Sequence, residues 1–158
     1  MSYTPPSGGS LAAYAEYTYE EAAGVDGAAT VATAWTDGIL NTEVVDAGAI
    51  GSLAFNQVTL IAGTYDFEAF KVIYRSSGTR GAIRLWNVTD SALIGGLTPY
   101  INPSMLCVIA GRFTIAASKA IALQYYVASS DGIGQGISVS GSLGINEVYS
   151  RLCFWKVA

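Results

Sequence analysis

Two carboxylates, Asp66 and Glu68, stand two residues apart in a run, Thr64–Tyr74, that reads as a β-strand. On a strand that spacing puts both acids on one face, about 7 Å apart. Glycosidic or metal chemistry could use such a pair, but no further acid or positioned base accompanies it. Solvation, or a partnership with Arg151, is the better reading. The chain has no histidine, which removes Ser-His and Cys-His nucleophile pairs and every His-containing metal site. Gly132-Ile133-Gly134-Gln135-Gly136 has the glycine density of a phosphate-cradling loop. It lacks the strand–turn–helix setting and the Lys-Ser/Thr that such a loop needs, so it reads as a mobile hairpin. Asn87-Val88-Thr89 matches a glycosylation acceptor, but Asn87 is better placed to cap a turn with Asp90. Cys107 and Cys153 sit in apolar runs and read as free thiols, as expected for assembly in a reducing cytosol. Together these residues predict no enzyme, no metal and no cofactor.

The elements that position these residues belong to a chain of 158 residues, the size of one domain. Hydrophobic residues make up 51% and charged residues 13%, the latter about half the usual share. No apolar run approaches the roughly 18 residues of a membrane helix, so no membrane insertion is expected. Met1–Pro6 lacks the basic and apolar blocks of a secretory signal. With 8 basic against 12 acidic residues the net charge is −4, and no nucleic-acid footprint is present. The apolar surplus points to self-association.

Residues 1–10, with Pro5, Pro6, Gly8 and Gly9, read as a flexible arm, and residues 11–158 as one domain. Runs rich in Val, Ile, Thr and aromatics alternate with turn residues, the pattern of an antiparallel sandwich. Ten strands are expected: Ala12–Glu20, Ala28–Trp35, Asn41–Ala47, Ser52–Ile61, Thr64–Tyr74, Arg80–Val88, Ser104–Ile115, Lys119–Ala128, Gln135–Ser142 and Glu147–Val157. Ser76-Ser77-Gly78 reads as a hairpin loop. Pro99 and Pro103, on either side of Tyr100, mark another loop.

A sandwich strand facing water should be polar on its outer face. Thr64–Tyr74, Lys119–Ala128 and Glu147–Val157 are instead largely apolar or aromatic on both faces, with Lys71 the exception among Tyr65, Phe67, Ala69 and Ile73. A neighbouring subunit covering one sheet would explain this, because interfaces are enriched in Tyr, Trp, Phe and Arg. The residues expected there are Glu68, Phe70, Val72, Gln124, Tyr126, Tyr149, Arg151 and Trp155, with Glu68 and Arg151 free to pair.

The same segments carry a resemblance. Val58-Thr59-Leu60-Ile61-Ala62-Gly63-Thr64-Tyr65 looks like the start of a long central strand in trimeric jelly rolls of the tumour necrosis factor and complement globular-head type. With Arg84–Asp90, Gly111–Lys119 and Glu147–Val157 in that order, the chain resembles a group of small phage proteins of jelly-roll type. The resemblance implies an all-β, ten-strand jelly-roll β-sandwich that trimerises through one sheet, with its C-terminal strand central there and the two cysteines on different sheets. It also implies a non-enzymatic virion protein made in the host cytoplasm and displayed on the virion surface. As a capsid decoration or head-fibre knob, its partners would be itself and the major capsid protein or another virion protein. One alternative is the tip of a tail fibre binding a host surface glycan, with Tyr100, Asn102 and Asp131 in the binding loops. A second is a secreted cytokine-like or complement-like ligand, which the missing leader and Gly-X-Y stalk disfavour.

Overall fold

The computed structural model describes the backbone of residues 11–139 and 144–157, and their side chains apart from 11–12, 75–79 and 97–105. The expected arm, residues 1–10, lies outside the described residues. Nine strands follow in order: β1 (Leu11–Glu21), β2 (Thr36–Asp37), β3 (Thr42–Ala47), β4 (Gly51–Ala54), β5 (Gln57–Leu60), β6 (Gly63–Asn87), β7 (Ala92–Ile115), β8 (Lys119–Val127) and β9 (Glu147–Val157). All their pairings are antiparallel. Among the described residues no helix is long and apolar enough to cross a membrane.

The two longest strands organise the rest. β6 and β7 form one hairpin whose halves belong to different sheets. Residues 64–71 of β6 pair with β9, and residues 81–87 pair with β8, while β7 follows β6 along its length. The first sheet therefore runs β3-β1-β9-β6-β7. The second runs β7-β6-β8-β5-β4, with β2 beside β8. A register shift between Tyr74 and Thr79 marks where the ribbon passes from one sheet to the other, as bulges and bends do at sandwich corners. The expected hairpin loop at Ser76-Ser77-Gly78 is thus extended strand. So is the expected loop around Tyr100: β7 pairs only with β6 there, and an edge strand tolerates Pro99 and Pro103.

The core lies between the sheets, where Tyr17, Tyr65, Phe67 and Phe154 meet Ile83, Leu85, Ile121 and Leu123, all at most 2% exposed. Phe113 stacks on Tyr65 with ring centroids 5.5 Å apart and meets Phe154 edge-on. Alternation along each strand produces this arrangement, since residues two apart share a face.

Three other expectations change. Ser52–Ile61 is not one strand: Phe55 and Asn56 adopt φ of 51° and 64° and turn β4 back on β5, the backbone that a two-residue hairpin loop requires. Ala28–Trp35 is not a strand but an irregular strap. Side chains hold three of its amides, Ala28 by the Tyr19 hydroxyl, Val31 by that of Tyr125 and Ala32 by that of Ser130, and the Asp131 and Val127 carbonyls hold those of Thr30 and Thr33. Residues 135–139 of the expected strand Gln135–Ser142 are turn and coil, and its residues 140–142 lie outside the described residues.

Candidate assembly interface

The outward faces of the first sheet fall into rows set by strand register. Tyr14, Trp155, Asp66 and Arg112 form one row; Glu16, Cys153, Glu68 and Ala110 the next; Thr18, Arg151, Phe70 and Val108 a third; Val72 and Leu106 a fourth. This brings five of the eight expected interface residues, Glu68, Phe70, Val72, Arg151 and Trp155, onto one surface.

Most charges on that surface are paired within the chain, and Glu68 is the exposed exception. Arg112 makes a bidentate pair with Asp66 at 2.6 and 2.8 Å. Arg151 bonds Glu16 at 2.9 Å and lies 5.7 Å from the Phe70 ring. The Tyr14 hydroxyl donates to Glu16, meets Cys153 Sγ at 3.4 Å, and its ring stacks on Trp155 at 5.3 Å. Burial, the Cys153 contact and the Glu16 bond all raise the Tyr14 pKa. Burial pushes the Cys153 thiol up to about 11, so it stays protonated and unreactive near neutrality. The expected Glu68–Arg151 pair does not form, because Arg151 reaches across β9 to Glu16 on β1 instead. Asp66 takes Arg112, so its carboxylate is committed to an ion pair.

Beside these pairs the surface turns apolar. Leu106 and Val108 are 56% and 47% exposed on β7, the edge strand of this sheet, next to Phe70 and Val72 on β6. Farther along the same two strands, a shallow groove of about 240 Å³ is lined by Phe67, Glu68, Ala110, Gly111 and Trp155 with the Asp66–Arg112 pair. Gly111 is required there, since a Cβ would stand 2.9 Å from the Phe67 ring. Leu106 and Val108 were missed in the sequence, although they alternate with buried Cys107 and Ile109 in the manner of a strand with two apolar faces.

The remaining three expected residues are elsewhere. Gln124 and Tyr126 lie on β8, in the second sheet, and the chain covers that face itself. Arg84 stacks between Trp35 and Trp86, at 4.2 and 3.8 Å from their rings. It also donates to Gln124, whose amide donates to Asp37. Tyr126 packs on Trp35 at 5.8 Å. Gln124 is 8% exposed and Ala122 fully buried. The outer apolar face of β8 is thus explained within one subunit. Tyr149 is 3% exposed, under Gly136, with its hydroxyl on the Val25 carbonyl.

Tyr100 and Asn102 are strand positions opposite Gly81 and Thr79, with side chains outside the described residues. Asp131 caps a turn, accepting from the Ile133 amide. Nor is that turn a mobile hairpin, because Gln135 is buried within the sandwich. Asn87 and Asp90 do cap each other, through the Asn87 amide and the Asp90 backbone N–H. Cys107 and Cys153 are free and buried, and both belong to the first sheet, Cys107 facing inward and Cys153 outward. Among the described residues no cluster of three or more Cys, Asp or Glu side chains could hold a metal ion.

No family model matches this chain, and no curated protein matches its sequence. Solved structures do match its fold. Murine APRIL crystallised at pH 5.0 superposes with a TM-score of 0.58 at 10% identity, covering 91% of this chain and 98% of that one. Its pH 8.5 crystal gives 0.51 at 12% identity with the same coverage. The globular domain of a zebrafish complement 1qA protein gives 0.46 at 9% identity, over 90% of this chain and 95% of that one. The chain is an all-β jelly-roll β-sandwich whose fold is similar to that of murine APRIL. Its likeness to murine APRIL is one of fold.

Proposed function

We propose that this protein is a non-enzymatic assembly module that forms a homotrimer through the outer face of the β3-β1-β9-β6-β7 sheet. The observation that carries this reading is the apolar strip Phe70, Val72, Leu106 and Val108 at a sheet edge, beside the Asp66–Arg112 and Glu16–Arg151 pairs. An exposed apolar edge invites pairing with another chain, and covering it returns about 25 cal/mol per Å². Internally neutralised charges lower the desolvation cost of the same contact. The sequence resemblance, which implies a trimer built on this sheet, supports the choice of occupant. The virion-surface setting, as a capsid decoration or head-fibre knob, belongs to this reading and rests on the resemblance to small phage proteins.

Replacing Leu106 and Val108 together by Asp puts two charges into the interface. Sedimentation velocity should then show monomers, while Thr59→Asp, exposed on the opposite sheet, keeps the parent's oligomeric state. Equal sedimentation of all three proteins would refute the assignment of this face.

A further inference from the structure

One inward position of β6 breaks the apolar pattern. Lys71 lies between Ala69 and Ile73 and is fully buried. Its Nζ donates to Gln135 Oε1 at 2.8 Å and to Ser150 Oγ at 3.0 Å. The rings of Tyr19 and Tyr125 stand 5.9 and 5.5 Å away, near the limit at which a ring attracts a cation. Gly38 completes the chamber, since a Cβ there would lie 3.2 Å from Nζ.

The groups facing this amine come from every element around it. They are Tyr19 of β1, Cys107 opposite it on β7, Tyr125 of β8, Ser150 of β9, Gln135 of the turn and Gly38 of the strap. The Glu21 carboxylate stands behind the Tyr19 hydroxyl, bonded to it. Among the described residues no carboxylate hydrogen-bonds or ion-pairs with Lys71. Two acceptors match the two N–H donors of a neutral amine, whereas an ammonium has three. Burial draws the Lys71 pKa down to about 7, with Cys107 opposing.

The side chains around Lys71 are also those that hold the strap. The Tyr19 hydroxyl accepts from the Ala28 amide, and the Tyr125 hydroxyl from the Val31 amide. Gln135 donates to the Ala29 carbonyl and accepts from the Ile39 amide through the same oxygen that receives Lys71. Charge at Nζ therefore acts on bonds that help seat residues 28–39, alongside the backbone bonds of Thr30, Thr33 and Gly38 and the β2–β8 pairing.

We propose that Lys71 is a pH-sensitive latch for the strap formed by residues 28–39. The neutral amine seats the strap against β8 and the 132–136 turn, and protonation favours an opened strap that lets water reach the ammonium. The closed form binds the proton more weakly than the open one, so raising the pH closes the strap.

Amide hydrogen exchange of the intact protein tests this at Ala28, Val31 and Ile39, corrected for the intrinsic pH dependence of exchange. Protection should be flat below about pH 7, then rise by up to about tenfold per pH unit above it. Amides in the centre of β9, which open only with the whole fold, should stay better protected than these three at every pH. Lys71→Met should abolish the slope. Should that variant not fold, the Lys71 Cε resonance of the parent protein reads the same proton, with a midpoint near neutrality expected. Protection without a pH slope in the parent, an equal slope in Lys71→Met, or an amine titrating at the ordinary lysine pH would overturn the latch.

Discussion

At the scale of single residues, the structure turns on which polar atoms find partners inside an apolar sandwich. Tyr65 and Tyr17 are both fully buried, but only the Tyr65 hydroxyl donates, to the Ile61 carbonyl at 2.8 Å. The Tyr17 hydroxyl has no hydrogen-bond partner among the described residues and is crowded by Gly51. A bonded buried hydroxyl stabilises by about 1 kcal/mol, and an unbonded one costs a comparable amount. In chemical denaturation Tyr65→Phe should therefore lose about 1 kcal/mol, while Tyr17→Phe should match or exceed the parent. Residue identities exposed some of this in advance: Lys71 stood out on an apolar face, and Asn87 with Asp90 had the spacing of a cap. Partner choice was not legible. Arg151 bonds Glu16 rather than Glu68, although register sets both acids opposite Cys153 and so does not distinguish them.

At the scale of elements, side-chain alternation revealed the long strands, because a period of two survives wherever a strand is buried on one face. It failed where tertiary bonds replace the ladder. The strap at Ala28–Trp35 has strand-like residues, but three of its amides bond hydroxyls of Tyr19, Tyr125 and Ser130. The run 76–78 has turn-like residues, yet it stays within β6 as the unpaired bulge between the Tyr74 and Thr79 pairings with β7. The 132–136 turn gives a sharper test of local fit. Gly136 has φ of 153°, and a Cβ there would come within 2.1 Å of the Tyr149 ring. Gly132 in the same turn has open space around it. Gly136→Ala should cost about 2–4 kcal/mol through overpacking and strain, and Gly132→Ala should cost almost nothing. Thermal unfolding of the two variants side by side reads the difference.

For the whole molecule, buried titratable groups set a pH profile. Lys71 has a lowered folded pKa of about 7, so the folded state gains stability as pH rises from there toward the ordinary lysine value. Burial raises the thiols of Cys107 and Cys153 to about 11, and the phenols of Tyr65 and Tyr149 to about 12. These acids favour folding below their unfolded values, and that stability is lost as pH rises toward 11 and 12. Denaturation across pH should thus show a maximum near about pH 9; a maximum near pH 6 would contradict these assignments. The all-β sandwich was legible because it follows from alternation and turn spacing, while the jelly-roll topology was only what the resemblance implies. The proposed assembly face was half legible. Apolar residues on both faces of a strand looked alike in β6, β8 and β9, and only topology separates β8, covered by Trp35, Arg84 and Trp86, from the open surface at β7. Whether that surface joins three chains is decided by the mass of the purified protein in solution. Static light scattering at micromolar concentration should give three chain masses, and a single chain mass under the same conditions would contradict the account.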